Sequence, residues 1–465
     1  MTVQKFLKTL KTVKRTHLSK PYQKELPYSI SKTLISPSST ILSDLNPSKF
    51  HQIISNPRHN PLQCLHFYNF FIKNQSLTSF EPDLQTHLTL ISRLIEAQKF
   101  SDVEKLLKYL LIDEFNRYPF PFLASTIENC CCFELDVVAK LFNLMLNVYS
   151  DNGKFDLVIK TFDHMKNNEI QIDERTCTMH LLQLKKNDQI SLSLEFFNQM
   201  VESGIEISVY SLTIVVDGLC KRGEIKRCRR LVEKMAIKGI KPNIVTYNVM
   251  INTCTKRWNF EELDCLLVLM EKEGVEFNAN TFKFLIDGYT SFGKIQEAEE
   301  LVSKMHDMNM KADSYMYYLI INGYCKLGFI DRALLLFDKM INRGISSNVD
   351  TSWALINGIC KAGMMEVAMV YVSKIQSRGF ELDQAMFNEL VDGFCNKGMI
   401  DEAFELQIEM ASRGFDADVC KCCKIIGGLL KFKRFDAAKE LVSVVVSRDG
   451  SSNKLIMIDV DGNLV

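Results

Sequence analysis

The stretch Gly239 to Asn248, GIKPNIVTYN, decides the fold, because versions of it return every 35 residues. With Ile244 as the first residue of a repeat, repeats begin at Ala139, Glu174, Val209, Ile244, Ala279, Ser314, Val349, Gln384 and Val419. The eighth residue is aliphatic throughout: Leu146, Leu181, Val216, Ile251, Ile286, Ile321, Ile356, Val391 and Ile426. Methionine holds the twenty-seventh place in most repeats, from Met165 to Met410, and glycine usually holds the thirty-first. Ala298, Ala333, Ala368, Ala403 and Ala438 share the twentieth. A fixed period in this range signals a solenoid of stacked supersecondary units.

Within one repeat the pattern reads helix, turn, helix. Tyr247, Met250, Ile251 and Cys254 recur at spacing three and four, which makes one apolar face over about Val245 to Arg257. A second helix is expected from Phe260 to Lys272, with Leu263, Leu266, Leu267 and Met270 inward. Gly274 lies just past its end, where a left-handed cap suits glycine. Each hairpin has two apolar faces and one internal partner, so neighbours must stack. The expected class is all-α, a right-handed α-solenoid superhelix of 35-residue helix-turn-helix repeats.

Composition agrees with a globular chain of 465 residues, 47% hydrophobic and 24% charged. No run of about 18 apolar residues is present, so a membrane span is not expected. Fifteen cysteines without framework spacing point to reduced thiols inside a cell or organelle. Net charge is zero but unevenly divided: residues 1–48 carry eight basic and two acidic groups, +6, which leaves −6 for the rest. That sign does not by itself advertise a nucleic-acid partner.

Residues 1–44 read as an organellar transit peptide and leader: the first 24 lack acid, and Phe6, Leu10 and Val13 recur at helical spacing among lysines. Mitochondrion is favoured, with chloroplast the alternative. Residues 45–118 read as degenerate N-terminal repeats, with Phe80 to Asp83 closing one and a turn at Ala97 to Phe100 in the next. Residues 119–138 read as an irregular insertion, 139–446 as the regular array, and 447–465 as a tail. The triplet Cys130, Cys131, Cys132 lacks partners at ligand spacing, so no metal is expected. Asp459 and Asp461 echo a phosphatase nucleophile loop, but the α/β domain such chemistry needs does not follow.

A 35-residue helical hairpin with TYN near its start, a late Met and then Gly-Ile-Lys-Pro-Asn resembles the pentatricopeptide repeat family of plant organellar RNA-binding proteins, in its P-type form without editing or endonuclease domain. The likeness is strong over 139–446 and weaker over 45–118. It implies that the fifth and last residues of a repeat jointly read one base of single-stranded RNA, running 5′ to 3′ as the chain runs N to C. Asn143 with Asp173 would then favour U, Thr213 with Asn243 A, Asn248 with Asn278 C or less strongly U, and Asn388 with Asp418 U. Thr178 with Ser208 is an uncommon, purine-leaning pair. Lys283 with Asp313, Tyr318 with Asn348 and Trp353 with Asp383 depart from the pattern and leave their bases undefined. The second residue would flank the base, a role that suits Tyr210 and Val245. The thirteenth would lie near phosphate, and it is lysine at Lys186, Lys221, Lys256, Lys326, Lys361 and Lys431.

The function implied is sequence-selective RNA binding in an organelle by a monomer, without cofactor or catalytic residues, possibilities for partners extending to other RNA-processing proteins. The alternative is a helical-repeat protein-interaction scaffold whose groove is partly repurposed. A deaminase-like appendage would need His-x-Glu, and none of the eight histidines is followed two places on by Glu. Cys420 and Cys423 have Cys-x-x-Cys spacing but fall in the first helix of the last repeat.

Overall fold

The computed structural model describes residues 45–113, 118–129, 134–416 and 418–448, and the described residues contain helices and no strand. The basic leader, the cysteine triplet and the Asp459/Asp461 motif lie outside them. First helices start at Glu174, Val209, Ile244, Ala279, Ser314, Val349, Gln384 and Val419, each the first residue of its repeat. Second helices start at Phe155, Ile190, Ile225, Phe260, Ile295, Ile330, Met365, Ile400 and Phe435, again 35 apart. The first helix of the repeat counted from Ala139 begins earlier, and spans Leu135–Asp151. Within 119–138 the segment Phe120–Asn129 is helical.

Two left-handed residues punctuate each repeat. The thirty-first place has positive φ whether it is Gly239 (87°), Glu169 (57°) or Asn309 (56°). The fifteenth has it too, at Gly328 (80°) but also at Asp188 (56°), Trp258 (55°) and Lys433 (60°). These residues end the first and second helices and let the next one start at a fixed phase. The helix starts are capped in turn by the last residue of the preceding repeat: Asp313 Oδ1 accepts from the Met316 N–H at 2.9 Å and Asp383 Oδ1 from the Met386 N–H at 2.8 Å.

The chain divides between Thr246 and Tyr247. Before that point, Leu84–Glu96 and Phe100–Lys108 pack on Leu135–Asp151, which in turn meets Glu174–Lys186 and then Val209–Arg222. Phe142, Phe162, Leu181, Phe196, Phe197 and Val216 are buried there. After it, one core cluster runs from Phe282 to Val445. The methionines Met270, Met305, Met340 and Met410 and the alanines Ala298, Ala333, Ala368 and Ala403 are fully buried, which accounts for their recurrence.

The first helix comes close to the preceding repeat at its tenth place, which is glycine in six repeats; the neighbour is the preceding first helix at Gly288 and Gly358 and the start of the preceding second helix at Gly218, Gly323 and Gly428. A Cβ on Gly288 would lie 2.3 Å from Thr255 Cβ of the preceding repeat, one on Gly358 2.6 Å from Cys325 Sγ, and one on Gly218 3.0 Å from Ile190 Cδ1. Glycine costs about 0.5–1 kcal/mol relative to alanine inside a helix, so its recurrence here reflects the absent side chain. Gly288→Ala should therefore destabilise the chain by about 1–3 kcal/mol through overpacking, despite the gain in helix propensity. Gly427→Ala, also helical but with nothing within 4 Å of the added Cβ, should be neutral or stabilise by up to about 1 kcal/mol. Denaturant midpoints of the two variants decide the matter, and equal shifts would contradict the close-approach account.

His180 is buried between Phe155 and Phe196, with Nδ1 2.8 Å from Ser150 Oγ. Burial pushes its pKa down to about 4. The unfolded chain therefore binds the proton first as pH falls, and the native state loses stability between about pH 6.5 and 4. His180→Leu should remove about 2–3 kcal/mol of that pH dependence. Unfolding free energies of both proteins at pH 7 and pH 4 test this; a difference that does not change with pH would contradict it.

Candidate nucleic-acid interface

The fifth residue of a repeat lies in the second turn of its first helix, and the last residue caps the next repeat's first helix. The stack brings them together, with the third residue of that next helix beside them. In the repeat begun by Ile244, Asn248 Nδ2 donates to Asn278 Oδ1 at 3.1 Å, and Thr281 Oγ1 donates to Asn248 Oδ1 at 2.8 Å. Thr281 and Asn278 also form a capping box: Asn278 Oδ1 accepts from the Thr281 N–H at 3.0 Å, and the Asn278 N–H donates to Thr281 Oγ1 at 3.2 Å.

The preceding repeats vary the same set. Thr213 Oγ1 lies 2.7 Å from Thr246 Oγ1, which donates to Asn243 Oδ1 at 3.2 Å. Thr178 Oγ1 lies 2.6 Å from Ser211 Oγ, which is 2.9 Å from Ser208 Oγ. Asn143 takes another form: its Oδ1 accepts from the Asp173 N–H at 3.0 Å and its Nδ2 donates to the Gln171 carbonyl at 3.0 Å. Asn143 and Asp173 line a cleft of about 970 Å³ together with Glu174, Arg175 and Thr176.

Asn388 and Asp418 are not hydrogen-bonded to each other. Lys421, third in its helix, donates to the Asn388 backbone carbonyl at 3.1 Å and pairs with Asp392 at 2.6 Å. Asn388 Oδ1 is buried without a partner among the described residues, while Asp418 caps its helix through the Cys420 N–H at 2.9 Å. The three repeats without a small polar fifth residue keep the cap, joined at Asn348 by the Thr351 hydroxyl. Lys283 Nζ sits 4.8 Å from the centroid of the Tyr315 ring, and Tyr315 lies 6.0 Å from Tyr318 at 34°. Tyr318 and Trp353 are half-buried.

Tyr210 and Val245 are exposed, 60% and 54%, so both project from the helix face as a flanking residue must. Lys186, Lys221, Lys256, Lys326, Lys361 and Lys431 are all exposed in the last turns of their first helices, where cations complement the helix dipole. Eight residues separate the fifth place from the thirteenth, about 12 Å along a helix axis. Among the described residues no cluster of His, Cys, Asp or Glu is arranged to hold a metal ion, and no helix is long and apolar enough to cross a membrane.

Two elements of this interface were not anticipated. The last residue of each repeat has a capping role that would select Asp, Asn or Ser by itself, also in the repeats of Lys283, Tyr318 and Trp353. The third residue, Ser or Thr at Thr176, Ser211, Thr246, Thr281 and Thr351, joins the network; its recurrence three places after a capping residue was the available signal. Asp313→Ala, in a repeat whose fifth residue is Lys283, should cost about 1 kcal/mol of stability by loss of the cap. Unchanged thermal and denaturant midpoints would show that this position has no structural role.

Comparison with known proteins adds the following. The family model described as "PPR repeat family" matches residues 215–256, 242–291 and 312–361, and models described as "PPR repeat" match 378–411 and 141–170, 281–310 and 354–380. A pentatricopeptide repeat-containing protein of Arabidopsis thaliana is 37% identical over 149 residues, which make up 32% of this chain and 24% of the relative's length. Among solved structures, the pentatricopeptide repeat protein PPR10 from maize is 15% identical with a TM-score of 0.35, covering 97% of this chain and 78% of that one. Yeast Rmd9p in complex with a 16-nucleotide target RNA is 12% identical with a TM-score of 0.32, covering 87% and 80%.

Proposed function

Because this chain belongs to the pentatricopeptide repeat family, we propose that it binds single-stranded RNA sequence-selectively, with one base assigned to each repeat. The observation that carries this reading is the recurrence, on the first helices begun by Ala139, Glu174, Val209 and Ile244, of a small polar fifth residue hydrogen-bonded to the following cap or to its third residue, and to both in Asn248, Asn278 and Thr281. Donors and acceptors recurring once per repeat suit bases displayed one at a time. Exposed Tyr210 and Val245 would flank the bases, and stacking on an aromatic ring contributes about 1–3 kcal/mol per base.

Phosphate is assigned to the lysines of the thirteenth place. Within each unit, lysines at this recurring place would supply local positive charge in a chain whose net charge is zero. The acid-poor leader, residues 1–44, supports action in an organelle, with mitochondrion favoured over chloroplast. Occupancy of its site would protect a transcript from exonucleases, hold it open for translation, or shape an intron for splicing. A second reading, a protein-interaction scaffold, is favoured by one feature: the Lys283, Tyr315, Tyr318 and Trp353 surface offers aromatic and cationic contacts without a base code.

Two substitutions separate base contact from phosphate contact. Asn248→Ala should weaken binding about fivefold to a hundredfold, the range of one base contact, chiefly when the fourth base of the site is a pyrimidine. Lys256→Ala should weaken all sequences alike and lower the salt slope by about 0.7, the single-strand value for one phosphate. Titrations of labelled RNA at several salt concentrations read both effects. An unchanged salt slope for Lys256→Ala, or equal loss on every sequence for Asn248→Ala, would contradict the assignment.

A further inference from the structure

We propose that Glu174 is the specificity-determining residue of the repeat it begins, making that base site an edge of acceptors that selects guanine; this rests on the RNA-binding reading above. Glu174 is the acidic exception at the first place, which in the other repeats is Ala, Val, Ile, Ser or Gln. Its carboxylate lies within the predicted reading pair. Oε1 accepts from Thr178 Oγ1 at 2.8 Å, from Ser208 Oγ at 2.7 Å, from the Ser208 N–H at 3.4 Å, and from Ser211 Oγ.

The consequence follows from counting protons. An ionised carboxylate has none to give, and a hydroxyl has one. Ser208, Ser211 and Thr178 all lie within hydrogen-bond distance of Oε1, so their protons are drawn toward it. Ser208 Oγ also accepts from the Ser211 N–H at 3.2 Å as the helix cap. Thr178 and Ser211 are buried, so the acceptors left for a ligand are the half-buried Ser208 Oγ and Glu174 Oε2, which has no hydrogen-bond partner among the described residues. Burial opposes the charge, but the hydrogen bonds from Ser211, Ser208 and Thr178 outweigh it and hold the carboxyl below its ordinary pKa. The site of Asn248 and Asn278 differs, since amides offer donors as well as acceptors.

An acceptor-only edge ranks the four bases by their donors. Guanine presents N1–H and N2–H side by side, a fit for two acceptor oxygens. Adenine and cytosine each present one amino group beside a ring acceptor. Uracil places its single N–H between two carbonyl oxygens, which a carboxylate repels. Glu174 is half-buried and lines the cleft of about 970 Å³ that also holds Asn143 and Asp173. No cation pairs with it among the described residues, so its charge is available to donors on a base.

The test uses the full chain and oligonucleotides of the predicted site in which only the second base is varied. Guanine there should bind at least about tenfold tighter than uracil, within the range of one bidentate base contact. Glu174→Gln, which replaces one oxygen by a donor at nearly constant shape, should reduce that ratio to about threefold or less. The penalty for replacing adenine at the third base, read by Thr213 and Asn243, should stay unchanged in the variant. A ratio between bases is indifferent to the fraction of protein folded, so a purely structural role for Glu174 would leave it in place. Wild-type protein that discriminates at the third base but not the second, or a variant that keeps the guanine preference, would overturn the proposal while leaving RNA binding intact. Protein that binds none of the oligonucleotides would overturn both.

Discussion

The stacking of this chain depends on how closely the first helix of a repeat can lie against the repeat before it. At the tenth place a side chain would collide with the preceding repeat, and at Gly288 the obstacle includes Thr255 Cα at 3.2 Å, a backbone atom that cannot rotate away. Across the same junctions residues from adjacent repeats meet, so that Thr281 reaches Asn248 and Ser211 reaches Thr178. Small shifts in approach would break hydrogen bonds of 2.6 to 2.8 Å.

The caps tie stability to recognition. Asn278 satisfies the Thr281 N–H and at the same time accepts from Asn248, so the side chain assigned to a base is already immobilised by its own helix. Such preorganisation lowers the entropy lost when a ligand binds. It also means that Asp, Asn or Ser at this place is required by the fold before any base is considered. The repeats of Lys283, Tyr318 and Trp353 illustrate this, because they keep Asp313, Asn348 and Asp383 as caps after the polar fifth residue has gone.

Period, helix type and the starts of nearly all helices were legible because they rest on strong, repeated signals: the buried methionines, the eighth-place aliphatics and the glycines after most second helices. The left-handed fifteenth place was not, since Asp188, Trp258 and Lys433 occupy it without the glycine that would announce it. Tenth-place glycines were overlooked for a different reason: glycine within a helix ordinarily signals weakness, and only the neighbouring repeat explains it. The third-place hydroxyls carry a local signal, their spacing from the cap, but their contact with the fifth residue, like that of Glu174 with Ser208 and Ser211, joins residues 30 or more apart. Lys421 shows the reverse, a charged third residue that turns from the amide of Asn388 to its backbone.

Selection from a random RNA pool by the purified chain, followed by sequencing of the bound fraction, tests the central claim most directly. The account predicts an enriched motif with U, then a purine, then A, then a pyrimidine, three undefined bases, and U at the eighth position. Enrichment without this spacing, or none above the starting pool, would contradict it.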